Sequence, residues 1–150
     1  MAVAHATLEI GYEGDQRLTS SLQLAHRIAS VASEKLATDI VILDMRDVVS
    51  YTDYFVIASG RTQRQTQGIA DEVRERLKRD DRHVPRNSDG ERQGDWILMD
   101  YLDVVVHIFT PEAREYYRLE NNFHNPEDLQ RAVVDRYPEI AKQSNDEPNQ

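Results

Sequence analysis

Ile40-Val41-Ile42-Leu43 is an apolar run of four residues, closed at each end by an aspartate, Asp39 and Asp44. It is too short for a buried helix, and both of its alternating positions are apolar. Such a run reads as a strand covered on both faces, so packing partners are needed on each side of a sheet. Tyr54-Phe55-Val56-Ile57-Ala58-Ser59 reads as a second strand. Trp96–Asp100 and Asp103–Thr110 read as two more, joined by a very tight turn at Tyr101-Leu102. A short edge strand fits His83–Arg86, because Pro85 is tolerated where no ladder bond is needed. Thr7 to Tyr12 alternates weakly and allows one further short strand.

Helical spacing fills the intervals. Ser20 stands three before Gln23, as in a capping box, and Leu22, Ala25, Ala29, Ala32 and Leu36 follow, predicting a helix over 20–38. Thr62 and Gln65 repeat that start signal, and Ile69, Val73 and Leu77 continue it over 63–80. The mixed charges on the other side of this helix read as a solvated face. Thr110-Pro111-Glu112 is an N-cap followed by proline and an acid, predicting a helix to about Asn121. Asn125-Pro126-Glu127 opens another, with Leu129, Val133 and Tyr137 as its apolar side. The order predicts an α/β (α+β) fold, a small mixed sheet with helices on at least one face. A chain of 150 residues with 39% apolar residues suits one domain with a modest core. The expected division is an extension at 1–18, the main domain at 19–122, a helix at 123–138 and a disordered tail at 139–150.

The charge balance narrows the partners. With 18 basic and 27 acidic residues the net charge is -9, which repels phosphate backbones and favours a basic protein surface. No cysteine is present, so disulfides and thiolate chemistry are excluded. The first residues lack a basic start followed by an apolar stretch, and no run approaches the ~18 apolar residues of a membrane span. A soluble, cytoplasmic chain is expected.

Five groups of residues could carry chemistry. Asp100 and Asp103 could hold Mg²⁺ or act as an acid/base pair, but a spacing of three across a turn does not put both on one strand face. Capping of the hairpin is their ordinary use. His107 lies among alternating apolar neighbours Val105 and Phe109 and reads as a hydrogen-bonded core residue. His5, His26, His83 and His124 show no zinc spacing. Ser59-Gly60-Arg61-Thr62 could cradle an anion at a helix start, yet the phosphate-loop and nucleophile-elbow patterns are absent. Thr52 and Asp53 suit fixing a strand's entry through backbone bonds. Trp96 with Tyr101 either anchors a protein interface or covers the end of the core. No cofactor or metal is called for by any of these groups.

The blocks Thr52–Gly60, the helix containing Arg64-Gln65 and Ile69–Val73, Trp96–Phe109 and Pro111–Glu120 together resemble the ribosomal silencing factor family (RsfS, Iojap-like). They keep the family's order and spacing across about 39–120, over half the chain. The resemblance implies a nucleotidyltransferase-like fold that lacks the transferase carboxylates. It also implies a non-enzymatic mode of action. Such proteins bind the large-subunit ribosomal protein numbered fourteen, block joining of the small subunit, and damp translation when nutrients are short. They often form homodimers off the ribosome. The implied partner-binding residues are Trp96, Asp100, Tyr101, Leu102 and Asp103. Strict alternation puts Trp96 and Tyr101 on opposite sheet faces. They share a surface only if Trp96 lies at the strand's edge or the turn swings Tyr101 round. The chain departs from the family at Leu102, where glycine is common, at Asn121-Asn122-Phe123, where a Leu-Trp pair is usual, and in its extensions at 1–17 and 125–150. Two rivals stand beside this assignment. One is a metal-dependent nucleotidyltransferase using Asp53, Asp100 or Asp103. The other is a large-subunit biogenesis adaptor using the same surface.

Overall fold

The computed structural model describes residues 4–5 and 16–121. Its element order is β1 (Ala4–His5), α1 (Gln16–Glu34), β2 (Thr38–Asp44), β3 (Tyr54–Ser59), α2 (Gln63–Arg76), β4 (Asn87–Asp89), β5 (Trp96–Asp100), β6 (Val104–Phe109) and α3 (Pro111–Tyr117). A π-helical turn, Leu77–Asp81, follows α2, and a 3-10 turn, Leu119–Asn121, follows α3. The strands form one mixed sheet in the order β1-β2-β3-β6-β5-β4. The central neighbours β3 and β6 run parallel, whereas β2–β3, β6–β5 and β5–β4 are antiparallel. The α+β class expected from the sequence is the class observed.

Alternation along the strands divides the core in two. Ile42, Val56, Val106, Ile97 and Met99 face α1 and α2, where they meet Ala25, Ile28, Ala29, Ile69 and Val73. Leu43, Phe55, Ile57, Val105, Phe109, Trp96 and Leu98 face the other way. There Met45 and Val49 from the β2–β3 connection, Ala113 of α3 and Leu119 cover them. Burial of both parities on β3, β5 and β6 is what the continuous apolar runs require.

Several element ends differ from expectation, for local reasons. Helix α1 begins at Gln16 and already contains Ser20, so Ser20 is not its cap. It stops at Glu34 because Leu36 adopts a left-handed conformation (φ 66°), and the Ala37 N–H reaches back to the Ala32 carbonyl at 3.0 Å. The π-helical turn that follows α2 also ends on a left-handed residue, Arg82 (φ 59°), whose N–H reaches the Leu77 carbonyl. Helix α3 ends at Tyr117 because Arg118 is left-handed (φ 49°). The edge strand lies at Asn87–Asp89 rather than His83–Arg86. Proline at 85 has no N–H for the ladder, which opens instead with the Arg86 N–H on the Asp100 carbonyl at 2.8 Å. The strand expected at 7–12 and the helix expected from Asn125 lie outside the described residues. Most of the extension assigned to 1–18 and the divisions at 123–138 and 139–150 lie there too.

Candidate partner-binding site

The pairing directions bring the end of β2, the start of β3, the start of β6 and the end of β5 to one end of the sheet. That end collects Asp44, Asp53, Asp100 and Asp103, with Asp47 on the neighbouring connection. Two of these acids are neutralised by arginines. Arg46 bonds Asp44 (Nε to Oδ1, 2.7 Å) and lies over the Tyr54 ring at 5.5 Å. Partial burial alone would raise the Asp44 pKa, but the hydrogen bonds and charge of Arg46 prevail and hold it below the usual range. Arg86 Nε bonds Asp100 Oδ2 at 3.2 Å.

The β5–β6 turn stands at this acidic end. Tyr101 N–H donates to the Val104 carbonyl at 2.8 Å, and Asp103 N–H donates to the Tyr101 carbonyl at 3.0 Å. Leu102 between them has a φ of 78° and is 50% exposed. A bulky residue at positive φ is a true outlier. Asp100 is almost wholly buried, and its Oδ1 accepts the Leu102 N–H at 2.8 Å. On the far side, the Asp103 carbonyl accepts N–H groups from Asp53 (3.0 Å) and Tyr54 (3.1 Å), and Ser21 Oγ donates to Asp53 Oδ2 at 3.0 Å.

The five residues implied by the family resemblance therefore occupy different places. Leu102 is exposed, and Asp103 is half-buried beside it. Tyr101 is buried in the helix-facing core, and burial raises its pKa to about 12. Trp96 is fully buried in the opposite core. It donates its indole N–H to His107 Nδ1 at 3.0 Å and packs on Phe109 and Tyr117 with centroids at 5.0 and 4.5 Å. Trp96 and Tyr101 thus lie on opposite faces, and the turn does not bring them to a common surface. Burial pulls the His107 pKa down to about 3, so its ring is neutral at ordinary pH. Arg86, which the sequence reading missed, belongs to this end. It lies fourteen residues before Asp100 with no periodic signal, so only the strand pairing reveals it.

The carboxylates do not assemble a reaction centre. Asp100 is engaged by a backbone amide and Arg86, and Asp53 is bonded by Ser21. No group of three or more His, Asp or Glu placed to hold a metal occurs among the described residues. At the opposite end of the sheet, the Ser59–Thr62 turn starts α2, with Thr62 Oγ1 accepting the Gln65 N–H at 3.1 Å. An added Cβ at Gly60 would come within 2.9 Å of the Thr66 nitrogen, so that turn is closed tightly on its own helix. A crevice of about 560 Å³ beside it is lined by acids and bases together, Arg61 with Asp95 and Glu112. No helix among the described residues is long and apolar enough to cross a membrane.

Residues 18–150 match the sequence model of a family described as ribosomal silencing factor during starvation. The ribosomal silencing factor of Bacillus subtilis is 37% identical over 92 residues, covering 61% of this chain and 77% of that protein. A mouse protein named for mitochondrial assembly of the ribosomal large subunit is 32% identical over 99 residues, covering 62% of this chain and 42% of its own. A crystal structure of a protein from Chromobacterium violaceum superposes with a TM-score of 0.64 at 29% identity, covering 71% of this chain and 86% of that one. The Bacillus subtilis and mouse relatives are named for ribosomal silencing and for assembly of the ribosomal large subunit.

Proposed function

The chain belongs to the ribosomal silencing factor family, and from that premise we propose that it binds the large ribosomal subunit and sterically blocks joining of the small one. The contact is with a ribosomal protein, the one numbered fourteen. The consequence is lower translation when nutrients are short. The protein acts in the cytoplasm, as a homodimer when off the ribosome, and needs no cofactor.

The observation that carries this function is the acidic end of the sheet with one exposed aliphatic residue, Leu102, at its tip. Asp103 stands beside a side chain that is half exposed and makes little use of the protein's own core. Such a surface suits a basic, partly apolar protein face and repels ribosomal RNA. Leu102 and Asp103 make the contact, Asp100 and Tyr101 support it from beneath, and Trp96 fixes the far end of the same strand. A steric block requires affinity and placement only, which agrees with carboxylates spent on backbone amides and arginines.

A sucrose gradient of separated subunits, with and without the protein, tests the proposal. The protein is expected to travel with large subunits and to lower the yield of joined ribosomes. Normal joining at saturating protein would refute it. The name of the mouse relative favours a second function, large-subunit assembly through the same surface. That function predicts that the protein travels with immature large-subunit particles and leaves joining of mature subunits unchanged.

A further inference from the structure

We infer that Arg86 and Asp100 are a positioning pair that holds Leu102 out as a preformed apolar knob, for a hollow of aliphatic side chains rimmed by lysine or arginine on the partner protein. The inference rests on the docking function proposed above and adds how the contact is prepared.

Strain is the first ground. The Asp103 N–H closes on the Tyr101 carbonyl at 3.0 Å with Leu102 at φ 78°, a three-residue turn of the rare, strained hand. Glycine adopts that conformation without cost, and leucine does not. Leu102 recovers little of the cost by burial, because half of it stays exposed. The conformation is imposed by its neighbours. Asp100, only 2% exposed, spends one carboxylate oxygen on the Leu102 N–H (2.8 Å) and the other on Arg86 Nε (3.2 Å). The Arg86 N–H also bonds the Asp100 carbonyl at 2.8 Å, so the segment leading into β4 grips the turn through both backbone and side chain. The Asp103 carbonyl, held by Asp53 and Tyr54, fixes the other flank. Strain maintained by surrounding structure at an exposed side chain is how fixed contact points are built.

Charge is the second ground. Asp103 is half-buried beside the knob, and the chain as a whole carries a net charge of -9. A partner that seats Leu102 must therefore bring positive charge to its rim.

The test measures affinity for purified bacterial large subunits, using variants shown to be folded at the assay temperature. Leu102→Gly keeps the turn and removes the knob. It is expected to bind at least tenfold more weakly while melting no lower than the parent, and Leu102→Met to retain most of the affinity. Arg86→Gln is expected to weaken binding severalfold in the parent, yet to have no further effect in the Leu102→Gly background. If the parent binds and Leu102→Gly binds as well, the knob is wrong and the docking function survives. If Arg86→Gln weakens both backgrounds equally, Arg86 does not position Leu102. If subunits stripped of protein hold the parent as tightly as intact ones, the partner is RNA and the inference fails. If the parent does not bind intact subunits at all, the docking function itself falls.

Discussion

Trp96→Phe isolates a buried side-chain hydrogen bond inside the second core. Tryptophan can only donate, so His107 Nδ1 must accept, and the ring proton resides on Nε2. That Nε2 has no partner among the described residues, and His107 is wholly buried. Phenylalanine at 96 therefore leaves the second nitrogen unpaired as well. An orphaned buried acceptor costs about 1–3 kcal/mol. Loss of the pyrrole half of the indole opens space against Phe109 and Tyr117, which adds about 1 kcal/mol. The sum, roughly 2–4 kcal/mol, lowers the melting temperature by about 6–12 °C at ~3 °C per kcal/mol for a chain of this size. Urea unfolding at neutral pH of the parent, Trp96→Phe, His107→Leu and the double variant closes a cycle. Removing both partners spares the orphan, so the double variant should be more stable than the summed single losses by at least ~1 kcal/mol. Additive losses, or a Trp96→Phe protein within about 0.5 kcal/mol of the parent, would show that the bond does not matter. The same arithmetic bears on binding assays. Trp96→Ala would cost about 3–5 kcal/mol, a large share of a small domain's stability. A binding loss in that variant would report unfolding before it reported a contact.

Two further expectations follow from buried groups. Folded His107 stays neutral down to about pH 3, whereas the unfolded chain protonates it near 6.5. Below pH 6.5 the unfolded state thus binds the extra proton. Stability should fall by up to ~1.4 kcal/mol per pH unit as pH drops below 6.5, with no change from this group above it. Denaturation curves between pH 7.5 and 5 check this, and His107→Leu should remove that slope. Gly94→Ala should destabilise the protein by more than ~1 kcal/mol, measured as a shift in the urea midpoint. Gly94 has a φ of 78°, and an added Cβ would lie 2.9 Å from the Gln63 carbonyl oxygen. A neutral result there would mean that the β4–β5 connection yields easily.

The central strands and the starts of α2 and α3 were legible because their signals are local. Ile40–Leu43, Tyr54–Ser59 and Val104–Phe109 are apolar at both parities, and each is a strand inside the two-sided core. Thr62 and Thr110 mark α2 and α3, and each side chain accepts the N–H three residues on. Helix ends were not legible. Leu36, Arg82 and Arg118 take the left-handed position that a sequence reader looks for at glycine, so α1 and α3 ran too long on paper. The site was legible as a block but not as a geometry. Asp100 was read correctly as a turn cap, whereas its second partner, Arg86, comes from a segment that only the ladder with β5 brings alongside.

Parity decides what the Trp96–Phe109 block can offer a partner. Trp96 and Leu98 point to one side of β5, and Ile97 and Met99 to the other, continued by Tyr101. Trp96 and Tyr101 are five positions apart, an odd offset, so no untwisted strand can show both to one surface. Both faces are already covered, by α1 and α2 on one side and by α3 with the β2–β3 connection on the other. Among the described residues, the block is left unburied only at Leu102 and Asp103 in the turn, where alternation stops. A two-residue turn with the usual glycine would offer backbone alone. Leucine at 102 puts a side chain there, and the buried carboxylate of Asp100 keeps it there. The two aromatic side chains each fix one face of the strand that leads into the turn.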